Sequence, residues 1–424
     1  VQKINSKKHG NSRFFVLIVK ILRKTKHYIV LFLKKIKKVI LIIYEKTYIK
    51  TLIQRKDLKN ILFDSYYYNN NSQPDDVITV ALIIRNGLTH PTSSAFIRLI
   101  SPLSRLHINK KITFKIYKQN TLKLSNKLGV CIVQRTAFDS KKIAMSFVDN
   151  LRKQNIKLIV DNDDAFSAID EFHSEYSIQK SRIEALEYII QKADQVWAST
   201  EELARLHKNI NKNTYIVSNT LDKNIWTHKI KHLKEQSPLR LIYMGTATHD
   251  EDFKMIYSHL EKLHKKYPNK FVLYVIGVSA RAIPNKKWIK RLYQPAGRAI
   301  YPRFVSWFIK QGPFDIGLCP LVESDFNKYK SDIKCLDYFG IGAMPFASNT
   351  PAYKTDGLDK FIQLVNNNGN NWFEALEKAV SKPQDFRRKK IKIVRKASNY
   401  LWSQRSVEQS STQIKKLLEE LLSK

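Results

Sequence analysis

Between residues 77 and 347, short apolar runs alternate with longer stretches whose apolar positions recur at helical spacing. Residues 77–84, 114–117, 130–133, 158–160 and 195–198 read as buried strands, and 96–106 and 178–193 as helices. A second series places strands at 239–244, 271–276, 316–318 and 344–347. Helices follow at 252–265, 304–311 and 331–339, and the chain beyond the Asn/Gly loop 366–371 reads as helical. Such alternation implies parallel sheets covered by helices on both faces. A polar connector at 231–238 separates the two series. The expected fold class is α/β: two Rossmann-like, doubly wound domains facing a central cleft, with ligands at the carboxyl ends of the strands.

Upstream the pattern changes. Residues 13–54 alternate apolar blocks with basic pairs, ahead of a polar linker at 69–76. Ile29, Phe32, Leu33, Ile36, Ile40 and Ile43 fall on one helical face, while Lys34, Lys35, Lys37 and Lys38 project elsewhere. A basic amphipathic helix of this kind lies on an anionic membrane, packs on the protein's own body, or meets nucleic acid. The expected domains are a basic helical arm (1–72), a first Rossmann-like domain (73–231), a second (232–385), and terminal helices packing back on the first (386–424).

Charge sharpens the choice of partner. The 424 residues carry a net charge of +37, and residues 1–60 hold 17 Lys/Arg against 2 Asp/Glu. The complementary surface is acidic: nucleic acid, anionic lipid or a phosphorylated substrate. The abundance of Lys, Asn and Ile also fits a bias of gene base composition. Cys131, Cys319 and Cys335 have neither zinc nor disulfide-framework spacing, which points to a reducing compartment. The arm's apolar blocks are interrupted by lysines and lack a small-residue cleavage site, so no signal peptide is expected. No run approaches the roughly 20 apolar residues of a spanning helix.

Candidate chemistry concentrates in the second half. Lys330, Ser331 and Lys334 stand at the mouth of the helix expected at 331–339, with Asp337 a turn later. A helix N-terminus offers unpaired N–H groups and partial positive charge, so these residues suit a phosphate or diphosphate. Asp337 then suits hydroxyls such as those of a ribose. Gly245, Thr246 and His249 follow the strand at 239–244 and offer a second phosphate turn, or an ordinary turn with a helix cap. In the first half, Asp161-Asn162-Asp163-Asp164 follows a strand. It suits an acceptor-facing acidic edge, a turn with a cap, or a D-x-D metal chelate. The phosphate signals all lie in the other half, which favours the acceptor edge. His173 faces the cleft or solvent, Arg98 the cleft or solvent, and Arg135 is a similar case. The basic run 387–396 reads as a solvated helix face or a contact for an anionic acceptor or its membrane.

Three blocks resemble the C-terminal domain of GT-B retaining glycosyltransferases of the group 1, family-four-like type. Residues 243–252 resemble its Gly-Ser/Thr-x-Thr-His-x-x-Asp turn. Residues 315–321 resemble its Asp-Ile-Gly-Leu-Ala-Pro-Leu strand. Asn327, Lys330, Ser331, Lys334, Asp337 and Tyr338 match its N-x-x-K-S-x-x-K-x-x-E-Y helix. Looser matches at 195–202 and 217–222, and at Arg85-Asn86-Gly87 with Ser93 and Ser94, extend the likeness over roughly 75–400.

The resemblance implies a transfer of sugar, with retention, from a nucleotide-diphosphate sugar to a hydroxyl acceptor. The resemblance implies that the second domain holds the donor and the first the acceptor, by family habit a glycan or lipid-linked one. No metal or other cofactor is implied, because basic side chains and N–H groups neutralise the leaving diphosphate. The implied catalytic residues are Lys330, Lys334, Asp164 and His173. Gly245, Thr246, His249, Asn327, Ser331, Asp337, Arg98 and Asp163 are the implied substrate-binding residues. The family's other carboxylate position, eight residues before Asp337, holds Tyr329; Asn327, Asp325 and Glu323 are the nearby groups for sugar hydroxyls. The expected setting is surface-polysaccharide synthesis (capsule or O-antigen) by a cytoplasmic protein held at the inner membrane face by its arm. Competing expectations are a sugar-nucleotide epimerase of the same fold, a non-catalytic scaffold, and a basic nucleic-acid-binding protein. No recognised nucleic-acid motif is visible, and nucleic acid is not an expected partner.

Overall fold

The computed structural model describes residues 77–85, 91–109, 111–117, 128–169, 176–226, 238–246, 249–278, 282–294, 300–355 and 357–423. The expectations for the arm, for His173 and for most of the 231–238 connector lie outside the described residues.

The first domain is a six-stranded parallel sheet in the order β2-β1-β3-β4-β5-β6. Its strands are β1 (Ile78–Ile83), β2 (Ile112–Tyr117), β3 (Val130–Gln134), β4 (Lys157–Asn162), β5 (Gln195–Ala198) and β6 (Thr214–Ile216). All of β3 and β5 is buried, which explains continuous apolar runs in place of alternation. Its helices are α1 (Ser101–Ile108), entered through a π segment Phe96–Ile100, then α2 (Lys141–Lys153), α3 (Tyr176–Lys192) and α4 (Glu201–Lys208). Thr200 caps α4 through the N–H of Leu203, with Glu201 and Glu202 in the first turn and Arg205 and Lys208 in the last.

The second domain is another six-stranded parallel sheet, β12-β11-β10-β7-β8-β9. It comprises β7 (Leu239–Gly245), β8 (Phe271–Gly277), β9 (Ile289–Leu292), β10 (Ile316–Cys319), β11 (Met344–Ser348) and β12 (Gln363–Val365). Its helices are α5 (Asp250–Lys266), α6 (Tyr301–Gln311), α7 (Ile333–Gly340) and α8 (Asn371–Ser381). The strand order reverses between β7 and β10, so their carboxyl ends, Gly245 and Cys319, border the switch-point crevice.

The two closing helices divide their allegiance. In α9 (Pro383–Gln404), Arg387 and Lys390 reach the buried Asp315 carboxylate of the second sheet, Arg387 Nη2 at 3.0 Å and Lys390 Nζ at 3.0 Å. Next, α10 (Val407–Leu422) lies on the first domain, where Gln195 donates to Leu417 O at 3.0 Å and Ser411 to Pro102 O at 3.1 Å. The chain therefore crosses between lobes twice. The crossings are tied together by Leu221 N to Arg405 O and Val407 N to Leu221 O, both 2.9 Å.

Five elements escape the sequence pattern, one of them the edge strand β12, of which only Val365 is buried. The core side of α2 is Ala144, Val148 and Leu151, masked by exposed Ile143 and Met145. Helix α4 is short and polar, and β6 and β9 are sheet edges with little burial to imprint a pattern. The helix expected from residue 331 starts at Ile333. Asp332 stands at its cap position, and its carboxylate is drawn into a buried pair with Arg405, at 2.9 and 3.0 Å. Among the described residues no helix is long and apolar enough to cross a membrane.

Candidate functional site

Gly245 ends β7 opposite Gly277 at the end of β8. A Cβ on Gly277 would lie 1.8 Å from Gly245 O, and its φ of +68° favours glycine. A Cβ on Gly245 would lie 2.9 Å from His249 Cβ, so the bare glycine lets the imidazole close over the turn. Thr246 is exposed and accepts the His249 N–H on its carbonyl at 3.0 Å. His249 gives Nδ1 to the buried Asp252 carboxylate at 2.6 Å, and the other oxygen of Asp252 accepts the Val322 N–H at 2.7 Å. Burial, then the nearby Lys334 ammonium, push the His249 pKa down to about 4 despite Asp252. The imidazole is neutral at ordinary pH.

Beyond β10, Ser324 caps a single helical turn, Asp325–Lys328. Asn327 secures this turn by donating to Val322 O at 2.9 Å. Glu323, Asp325 and Asn327 help line an open hollow of about 550 Å³, together with Asn349 and Pro351. Phe326 and Tyr329 both pack on the first domain. Phe326 meets the cluster that contains Phe138 and Phe166, and Tyr329 meets Ala165, Ala198, Leu203 and Ala204. Where the resembled family has a carboxylate, this chain thus places an apolar ring between its lobes.

Lys330 and Ser331 come next, and both touch the first domain. Lys330 Nζ donates to Asp164 at 2.8 Å and lies 4.1 Å from the Phe326 ring centre. Ser331 Oγ accepts from Asn219 Nδ2 at 2.9 Å. Lys334, on the first turn of α7, lies 5.9 Å from the Tyr243 ring centre. Its buried ammonium has no hydrogen-bond partner among the described residues. Burial holds its pKa below the usual lysine value; the Asp252 carboxylate opposes this and Lys330 adds to it. Asp337 is buried one turn further on, accepting from Tyr301 Oη at 2.7 Å. Desolvation raises its pKa to about 7, with the Tyr301 bond opposing.

The facing edge belongs to the ends of β3 and β4. Arg135, at φ +55°, pairs through Nε with Asp163 at 2.9 Å and through Nη2 with Asp164. Burial pushes Asp164 up, but Lys330 and Arg135 outweigh it and hold the carboxyl below its usual range. Asp163 goes the other way, because burial outweighs Arg135. Asp161 does not reach the crevice. It is paired with Arg98, Nη2 to Oδ1 at 2.6 Å, and both are fully buried. Arg98 also donates to Val217 O at 2.6 Å and to Asn219 Oδ1 at 3.2 Å, so it holds the asparagine that meets Ser331. Among the described residues no group of three or more His, Cys, Asp or Glu side chains is arranged to hold a metal.

The structure therefore gathers Gly245, His249, Lys330, Ser331 and Lys334 with Asp163 and Asp164 around one crevice. Arg98 stands behind it and Asn327 beside it. Three partners went unassigned in the sequence. Asp252 could have been found from its helical spacing to His249. Asn219 and the Asp332–Arg405 pair join residues far apart in the chain, and no local pattern announces them.

The two doubly wound domains thus bring Lys330, Lys334 and Arg135 to the switch point of the second sheet. No protein-family model matches the sequence, and no curated protein does. Solved structures do match. A glycosyltransferase from Rickettsia africae ESF-5 is similar over 82% of this chain and 99% of its own, at 12% identity and TM-score 0.53. An alpha-glucosyltransferase (AGT) in complex with UDP is similar over 81% and 100%, at 13% identity and TM-score 0.53. An alpha-glucosyltransferase with UDP and a 13-mer DNA containing an A:G mismatch gives 81% and 100%, at 14% identity and TM-score 0.54. The likeness is one of fold, and that fold is GT-B.

Proposed function

We propose that this chain is a metal-independent, retaining glycosyltransferase. It moves a sugar from a nucleotide-diphosphate donor to a hydroxyl of a glycan or lipid-linked acceptor. The observation that carries this reading is Lys334: a buried ammonium without a hydrogen-bond partner among the described residues, near Lys330 and the Tyr243 ring at the end of β7. A buried charge is costly unless it is paired, and a diphosphate is the pairing that two lysines, Ser331 and a glycine turn suit. In this scheme the bond from the anomeric carbon to the diphosphate oxygen breaks, and a bond to the acceptor oxygen forms on the same face. Lys330 and Lys334 take up the growing negative charge, an effect worth a few kcal/mol per group. Asp164 is held too acidic to keep a proton; it orients the acceptor hydroxyl, whose proton passes to a leaving phosphate oxygen. Asp337 takes the ribose hydroxyls.

The neighbours solved with UDP support a nucleotide donor. The basic arm and the exposed cations of α9 support work at the inner face of a membrane, in surface-polysaccharide synthesis. The test is thermal denaturation against a panel of nucleoside diphosphates and nucleotide sugars. At 100-fold over Kd a ligand stabilises by about 2.7 kcal/mol. At least one panel member should raise the midpoint, and Lys334→Met should abolish that rise while folding at least as stably as the parent. A panel without any shift, or a shift that survives in the Met variant, would remove the proposal. Product formation only with an acceptor present separates transfer from epimerisation. Tight, salt-sensitive binding of DNA without turnover would instead favour a nucleic-acid role.

A further inference from the structure

We infer that Asp252 is a positioning residue for this reaction. It locks His249 as the tautomer protonated on Nδ1, so that Nε2 faces substrate as a bare acceptor for a sugar hydroxyl. The inference rests on the proposed transfer only for the identity of that hydroxyl.

The geometry leaves Asp252 little freedom. Its carboxylate is buried, and each oxygen has its own donor: Oδ2 takes His249 Nδ1 at 2.6 Å and Oδ1 takes Val322 N at 2.7 Å. An ionised carboxylate only accepts, so Nδ1 must carry the proton. Nε2 is then the lone-pair nitrogen, and no described residue bonds it. The ring is also fixed from behind, since Tyr243 Oη donates to the His249 carbonyl at 3.0 Å and Gly245 admits the Cβ at the turn. The charged groups acting on the imidazole are Asp252 on α5, Lys334 on α7, Lys330 ahead of α7, and Asp164 beyond β4. Burial and the two ammoniums disfavour a second proton on the ring. A neutral acceptor thus persists beside two cations, and a neutral hydroxyl is its natural partner. The Val322 contact ties this choice to the loop that leads to Asn327 and Lys330.

Asp252→Asn turns the arrangement into an experiment. The Val322 N–H is a fixed donor, so the Asn oxygen must stay on it and the Asn amino group must face Nδ1. The imidazole then has to move its proton to Nε2, which becomes a donor. Histidine-selective 15N labelling and long-range 1H–15N correlation spectra read the tautomer directly, and His249→Gln assigns the signal by deleting it. The expected result is an Nδ1–H pattern in the parent and an Nε2–H pattern in the Asn variant. With it, kcat/KM for transfer should fall about 10- to 100-fold, with affinity for a nucleoside diphosphate kept within about twofold. His249→Gln should lose similar turnover and keep the same affinity. An Nε2–H pattern in the parent overturns the inference, as does a flipped tautomer with unchanged kcat/KM. Loss of nucleotide affinity equal to the loss of turnover overturns it too, because Asp252 would then be shaping the anion cradle. A parent that binds no nucleotide counts against the function proposed above; the parent's tautomer still decides the lock.

Discussion

Asp337, buried one turn beyond Lys334, has a strongly shifted acidity. Its carboxyl has a folded pKa of about 7 against an ordinary 3.8, chiefly through burial. The sign of the linkage follows. Between about pH 4 and pH 7 the folded chain binds more protons at this site than the unfolded chain does, so stability falls as pH rises through that window. The slope reaches at most about 1.4 kcal/mol per pH unit. Asp337→Asn should flatten this part of the stability profile, as urea titrations at pH 4.5, 5.5, 6.5 and 7.5 would measure. A slope in the Asn variant equal to the parent's would show that other groups set it. The same residue makes a ligand-side expectation. Because an ionised carboxylate is the better acceptor for ribose hydroxyls, affinity for a nucleoside diphosphate should gain on affinity for inorganic diphosphate as pH passes 7.

At the scale of elements, the ends of β7 and β8 are built so closely that glycine decides the geometry. Gly277→Ala should destabilise the fold by about 2–4 kcal/mol, since its Cβ would meet Gly245 O at 1.8 Å in a backbone conformation that L side chains avoid. Gly245→Ala would press on the His249 side chain, with Cβ at 2.9 Å and Cγ and Cδ2 at 3.3 Å. It should cost about 1 kcal/mol of stability and much more in transfer rate, because the imidazole is what moves. Chemical denaturation together with initial rates separates the two; equal stability losses would remove the distinction. This pair also shows what was legible in the chain. Gly245 ends a largely apolar strand, so its turn and the neighbouring lysines stand out, as do nine of the strands, most of which are buried enough to imprint apolar runs. The start of α7 did not stand out, because Asp332 is claimed by Arg405 from far along the sequence. Nor did the burial of Arg98, whose partner Asp161 comes from another strand end. A one-dimensional pattern reports which face is dry; it does not report which distant charge a polar residue will choose.

At the scale of the whole molecule, the crevice is bridged by side chains that a donor would need. Lys330 of one lobe grips Asp164 of the other, Ser331 meets Asn219, and Tyr329 and Phe326 pack across the same seam. An incoming diphosphate therefore competes with Asp164 for the Lys330 ammonium, and the carboxylate repels it as well. Asp164→Asn removes the competitor and the repulsion and keeps the shape. Affinity for a nucleoside diphosphate should rise about 3- to 10-fold, a gain of roughly 0.7–1.4 kcal/mol, and shrink as salt is added. Turnover should move the opposite way, falling at least about 10-fold at saturating donor, because the amide orients the acceptor hydroxyl less well than the carboxylate. Calorimetric titration at low and high salt, with initial rates on the same preparations, reads both quantities. Tighter binding with slower transfer assigns Asp164 two successive partners, Lys330 at rest and the acceptor hydroxyl once phosphate has taken the lysine. Unchanged affinity would mean that the Lys330–Asp164 pair stays closed throughout and that the diphosphate is held by Lys334 and the Gly245 turn alone.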